Sequence, residues 1–350
     1  MTTYSVRPEQ RSGDEGDANT TPVPVTMDAV TQYRYGSPAE VLGLEVTEVP
    51  EPGPGEVLVR VRAAGVDQGT WHLVAGMPYV VRASGFGLRR PKCAVAGLDF
   101  AGEVVAVGEG VTDHRAGDEV FGIARGSFAQ YAVAEVDRIA PKPEGLSFAE
   151  AAVLGVSGLA ALQAVRDEAG VAVGDRVLVI GASGGVGSYA VQIAKSLGAE
   201  VTAVAGTAKL DLVRSLGADH VIDYTAGPIG ESGGGYDVVI DIAGNRRLRE
   251  LRGLLAERGR LVIVGGEGGG RLVGGVDRQV RAALWSLFSS KKMSMLISSE
   301  NSADLRAIGE LVDAGALVAP LQRTYPLSEA VEAIENLRLG RVRGKIALEP

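Results

Sequence analysis

Cysteine, histidine and positive charge are in short supply in these 350 residues, and each shortage closes a class of function. The single cysteine, Cys93, rules out an intrachain disulfide and suits a reducing compartment, so the cytoplasm is the expected location. The three histidines, His72, His114 and His220, are scattered with no pair at a ligand spacing, so no metal site is expected from them. With a formal net charge of -8 there is no global basic field to hold nucleic acid or an anionic membrane. The local basic spot Leu88-Arg89-Arg90 reads as a solvated loop. No apolar run is long enough to span a bilayer, and the N-terminus lacks the basic and apolar regions of a secretory signal, so a soluble chain is expected.

What is present is a globular composition, 46% hydrophobic and 22% charged, in a length that suits two packed domains. Residues 1–26 are rich in Thr, Pro, Gly and acids without hydrophobic periodicity and read as a disordered tail. Globular patterning starts at Met27, a candidate biological start. Up to about residue 150, short alternating runs broken by Gly and Pro predict a mostly β domain: Val57, Val59 and Val61 share a face, and Gly102 to Val107 and Phe128 to Val133 add strands. Beyond residue 155 strands alternate with helices, from Val177–Ile180 through the stripe Val186, Ala190, Ile193, Ala194, Leu197 to the strand Val201–Ala205 and onward to Val264. That rhythm predicts an α/β, doubly wound parallel sheet. After Gly265 the chain is glycine-rich, then Leu305–Val312 and Ala330–Leu337 read as helices and Gly344–Leu348 as a last strand.

The strongest motif is Gly181-Ala182-Ser183-Gly184-Gly185-Val186-Gly187, set between a strand and a helix. Glycine lets such a turn approach a pyrophosphate, and the unpaired N–H groups and dipole of the helix start favour its charge. Ser183, Gly184, Gly185 and Val186 are the expected contacts. Where an NAD site places an acid near the end of the second strand, this chain reads Val204-Ala205-Gly206-Thr207-Ala208-Lys209. Thr207 can donate a hydrogen bond and Lys209 supplies charge, so NADPH is expected over NADH.

These residues resemble the medium-chain dehydrogenase/reductase superfamily, specifically its zinc-independent quinone oxidoreductase and zeta-crystallin-like branch. The resemblance also rests on Pro54-Gly55-Glu56-Val57-Leu58-Val59, Gly97-Leu98-Asp99-Phe100-Ala101-Gly102, Gly117-Asp118-Glu119-Val120, Ser157-Gly158-Leu159-Ala160-Ala161-Leu162 and Leu216 to Tyr224. It implies a GroES-like catalytic domain built from 27–154 and 301–350, with a Rossmann NADP-binding domain, 155–300, inserted between them. It adds Tyr224 and Lys345 to the candidate cofactor contacts, which with the strand-end residues Gly206, Ala243, Val264 and Gly265 complete the set. It further implies a homodimer through edge strands of the nucleotide domain.

Catalytic zinc in the alcohol dehydrogenase branch needs Cys and His ligands, and the matching positions here are Asp67 and Leu98. Leucine cannot bind a metal. Hydride delivery by nicotinamide without a Lewis acid suits an electrophilic small molecule, an enone or a quinone, whose developing anion is held by hydrogen bonds. The nicotinamide-side segment corresponds to Asp67-Gln68-Gly69-Thr70-Trp71-His72, although many relatives carry Asn where this chain has Asp67. Thr70 or His72 is the expected donor to the oxyanion, with Trp71 shaping the wall. Residues 77–91 read as a variable insertion over the cleft. Two other readings stay open: a zinc-free carbonyl reductase or alcohol dehydrogenase, and an NADPH-binding protein with little turnover.

Overall fold

The computed structural model describes residues 22–350 apart from 267–269, 271–273 and 287–288. Most of the expected N-terminal tail and part of the glycine-rich loop after Gly265 therefore lie outside the described residues. The first strand, Thr26–Thr31, pairs antiparallel with Gly43–Glu48.

A seven-stranded sheet forms around the long strand Glu56–Val66, whose apolar residues are buried along most of its length. Asp99–Val107 and Tyr131–Glu135 pair with it antiparallel, and Glu119–Ile123 and Ile139–Pro141 extend the sheet. Its remaining two strands come from the far end of the chain. Lys345–Glu349 lies antiparallel to Glu56–Val66, and Leu321–Pro326 lies parallel beyond it.

The segment between builds a second sheet of six parallel strands. It starts at Arg176–Ile180, steps outward through Glu200–Ala205 to His220–Asp223, then returns to the other side with Tyr236–Asp241, Leu255–Ile263 and Lys292–Met295. Near-continuous apolar runs such as Val177–Ile180 and Val201–Ala205 are buried, as a sheet covered on both faces requires. The strand order reverses between Arg176–Ile180 and Tyr236–Asp241, which opens a crevice at their carboxyl ends.

One continuous core joins the sheets: Ala63, Phe121 and Leu154 pack in the same cluster as Leu159, Tyr189 and Val177. The helix Gly155–Leu162 is the junction, with every residue but Val156 buried. Among the described residues no helix is long and apolar enough to cross a membrane.

The expected strands and helices are present, with shifts of a few residues; Phe128 is buried in the approach to its strand rather than inside it. Lys292–Met295 and Leu321–Pro326 have no counterpart in the sequence reading, because short strands with alternating polar residues and a proline carry no apolar run.

Candidate active site

The glycine-rich turn links the strand Arg176–Ile180 to the helix Gly185–Ser196 at the crevice. Gly181 has φ +86°, a left-handed conformation that favours glycine, and a methyl group on Gly187 would collide with the Gly181 carbonyl oxygen. Gly184 caps the helix without a side chain, which leaves the first-turn N–H groups for a ligand. The turn thus fits the pyrophosphate of a dinucleotide.

Two cavities meet at this turn. The outer one, about 1310 Å³ with its open mouth, is walled by Ser183, Gly184, Val204, Lys209, Tyr224, Ala243, Arg246 and Arg247 among others. The cleft, about 1090 Å³, runs the other way past Gly185, Val186, Ala243, Val66, Asp67, Gln68, Gly69, Ser157 and Lys345. Gly206 and Thr207 line neither cavity, but the exposed Tyr224, which walls the outer one, lies close to Gly206. Val264 and Gly265 line neither cavity; their N–H groups donate to Asp241, behind the wall.

Around the ribose end the structure adds an acid that the run after Val204 does not contain. Parallel pairing of Glu200–Ala205 with His220–Asp223 sets Asp223 beside Ala205. The Thr207 hydroxyl donates to Asp223 Oδ2 at 2.5 Å, and Thr207 with Thr225 holds this carboxyl below its ordinary range. Lys209 is also committed. Its Nζ donates to the carbonyls of Gly340 (2.9 Å) and Val342 (2.7 Å), and burial, then Arg343, pushes its pKa down. Lys209 thus ties the C-terminal segment to the crevice that it lines.

On the far side of the cleft, Asp67 caps the helix Gln68–Ala75. Its Oδ1 accepts from the Thr70 amide (2.7 Å) and the Thr70 hydroxyl (3.2 Å). Thr70 in turn lines an inner cavity, about 480 Å³ when its opening to solvent is counted, together with Tyr35, Leu73, Phe86, Pro91, Cys93 and Leu98. Asp67 faces the cleft and Thr70 the inner cavity, so this pair forms the wall between them. His72 lines neither space; its Nδ1 lies 2.7 Å from the Met77 carbonyl and so carries the proton of that bond. Trp71 packs edge-on to His72 and against the apolar core of the seven-stranded sheet. Phe86 and Pro91 come from the segment 77–91, and a methyl group on Gly274 would meet Pro78, so this segment reaches across to the loop beyond the strand Leu255–Ile263.

Beneath the phosphate turn lies a buried group that sequence reading left without a role. Asp99 is fully buried, accepts from the Val156 amide at 2.7 Å, and lies 3.5 Å from Lys345 Nζ. Lys345 is 1% exposed and donates to Ser157 Oγ at 3.0 Å. It is a buried cation at the cleft floor. Burial pushes the Asp99 carboxyl up to about 8; Lys345 opposes this and Asp67 adds to it. An acid inside the apolar strand Asp99–Val107 is the signal that marks it.

Asp67 and Leu98 stand at the positions matched above to zinc ligands. Leu98 presents no donor atom, Asp67 Oδ1 is engaged in capping, and no group of three His, Cys, Asp or Glu side chains converges among the described residues.

Comparison with known proteins agrees with this architecture. Residues 53–144 match the alcohol dehydrogenase GroES-like domain, and residues 216–348 match a family described as zinc-binding dehydrogenase. The chain is 34% identical to the chloroplast envelope quinone oxidoreductase homolog of Arabidopsis thaliana, over 93% of its own length and 98% of that protein. It is 32% identical to the quinone oxidoreductase of Sus scrofa, over 92% and 97%. The solved quinone oxidoreductase of Coxiella burnetii superposes with a TM-score of 0.79 at 31% identity, covering 93% and 99%.

Proposed function

The chain belongs to the quinone oxidoreductase-like branch of the medium-chain dehydrogenase/reductase superfamily, and on that footing we propose that it is an NADPH-dependent, zinc-independent reductase of enones or quinones. The supporting observation is the wall between the cleft and the inner cavity, where Thr70, held by Asp67, lines a largely apolar chamber.

NADPH, when bound, supplies the hydride. The turn from Ser183 to Val186 holds its pyrophosphate, and Gly206, Thr207 and Tyr224 frame the adenosine ribose. The inner cavity takes an apolar, already electrophilic substrate and excludes water from it. As negative charge develops on the substrate oxygen, the Thr70 hydroxyl turns from Asp67 Oδ1 to donate to it, while the Thr70 amide keeps its bond to Asp67. His72, tied to Met77, is assigned to holding the end of that helix. The division into 27–154 with 301–350 and an inserted 155–300 follows the two sheets. Strands His220–Asp223 and Lys292–Met295 are the edges of the parallel sheet, and a homodimer would form through one of them. A cytoplasmic setting goes with the free thiol of Cys93.

Product analysis with a simple enone tests the reading. Saturation of the C=C bond supports it; a new hydroxyl with the double bond intact points to a carbonyl reductase, and binding without turnover points to a non-catalytic protein.

A further inference from the structure

The cleft floor holds more acid than its cation can match. Four elements face Asp99 with polar groups. Glu56–Val66 leads into Asp67; Gly155–Leu162 brings the Val156 amide and Ser157; Lys345–Glu349 brings Lys345; and Gly185–Ser196 brings Tyr189, whose hydroxyl donates to the Val153 carbonyl. Asp67, Ser157 and Lys345 are each no more than 3% exposed. A methyl group on Gly155 would lie 2.6 Å from Asp99 Oδ1 and one on Gly65 would lie 3.1 Å from Oδ2, so the pocket fits the carboxyl closely. Asp67 Oδ1 is filled by Thr70, while Asp67 Oδ2 is buried with no donor, and Asp67 lies close enough to help push the Asp99 carboxyl up. An orphaned carboxylate oxygen beside a second carboxyl is satisfied by one proton held between them.

We propose that Asp99 is a positioning residue that shares a single proton with Asp67, and that this proton keeps the Asp67 and Thr70 wall in working geometry. With the proton, the pair carries one negative charge against one Lys345 ammonium. Without it, two carboxylates face a single cation in a dry pocket, and repulsion draws Asp67 from the helix cap and Thr70 from the inner cavity. The consequence for turnover rests on the reductase reading; the shared proton does not.

Two measurements on the full chain separate these parts. Asp99→Asn puts an amide N–H where the shared proton lies and leaves its oxygen for Val156. In the wild type, stability to urea falls as pH rises from about 4 to about 8, because the folded state holds a proton that the unfolded chain releases. In Asp99→Asn that slope is reduced. In activity, wild-type kcat falls about tenfold per pH unit above about 8, a single ionisation. Asp99→Asn flattens this limb and keeps at least about tenfold more turnover at neutral pH than Asp99→Ala, which leaves Asp67 Oδ2 without a donor. If Asp99→Asn does not fold, Asp67→Asn supplies the same N–H from the other side and must flatten the stability slope as well. An unchanged stability slope in the Asn variant that folds overturns the shared proton. A flattened slope with an unchanged alkaline limb overturns its role in the site. Absence of any turnover in the wild type counts against the reductase reading and leaves the stability arm to decide the proton.

Discussion

Thr70 carries the narrowest expectation at the scale of single residues, because its hydroxyl is buried at the wall of the inner cavity and already points at Asp67. Thr70→Val is expected to lower kcat by about 100-fold, the typical cost of removing one oxyanion donor, while Thr70→Ser retains most of it. Steady-state kinetics with a quinone checks both. His72→Asn is expected to change kcat far less than Thr70→Val. Asp223 gives a second test. Its charge stands where a 2′-phosphate would approach Thr207, so Asp223→Asn is expected to raise the ratio of kcat/KM for NADPH over NADH by about tenfold, equivalent to about 1.4 kcal/mol. A ratio that stays constant or falls contradicts that placement. The phosphate turn was legible at this scale because its glycines are adjacent in sequence. Asp223 and Asp99 were not, since each meets a neighbour that lies just past the end of another strand, Thr207 in one case and Asp67 in the other.

Among the elements, the junction between the helix Gly155–Leu162 and the helix Ser302–Asp313 is held by polar groups. Gln163 donates to Asp304 and the Ser299 carbonyl and accepts from Ser298 and the Ser299 amide. Gln163→Leu keeps the volume but strands these partners, and is expected to cost about 2 kcal/mol in urea unfolding. Burial raises the Asp304 carboxyl, but Asn301, Arg166 and Gln163 outweigh it and hold it below its ordinary 3.8. Its contribution to stability is therefore complete above that value and is lost as pH falls through the lower folded one. Asp304→Asn should lose stability at pH 6 and approach the wild type in strong acid. The helices were legible where an apolar stripe recurs, as from Val186 to Leu197. The helix Gln68–Ala75 was read only as a site segment, because its start depends on Asp67 capping Thr70 and only Thr70 and Val74 are buried.

For the whole molecule, the parallel sheet could be read from strand and helix alternation, because both of its faces are covered and its central strands carry apolar runs. The return of Lys345–Glu349 to the first sheet has no local signal; the expectation entered through resemblance to known proteins, and the strand pairs antiparallel with Glu56–Val66. That return matters for function. It carries Lys345 beneath the phosphate turn and Val342 against Lys209, so the last residues of the chain help shape the cofactor crevice. Removal of residues 340–350 is accordingly expected to abolish cofactor binding along with folding of the first sheet. The central claim is zinc-independent reduction of an activated substrate with NADPH, and it is tested most directly by following NADPH absorbance with 1,2-naphthoquinone, an enone and an aldehyde, with and without chelator and with NADH in parallel. The account predicts chelator-resistant oxidation of NADPH by the quinone or the enone, with NADH and the aldehyde much poorer. Activity that disappears with chelator, or that is confined to the aldehyde, would contradict it.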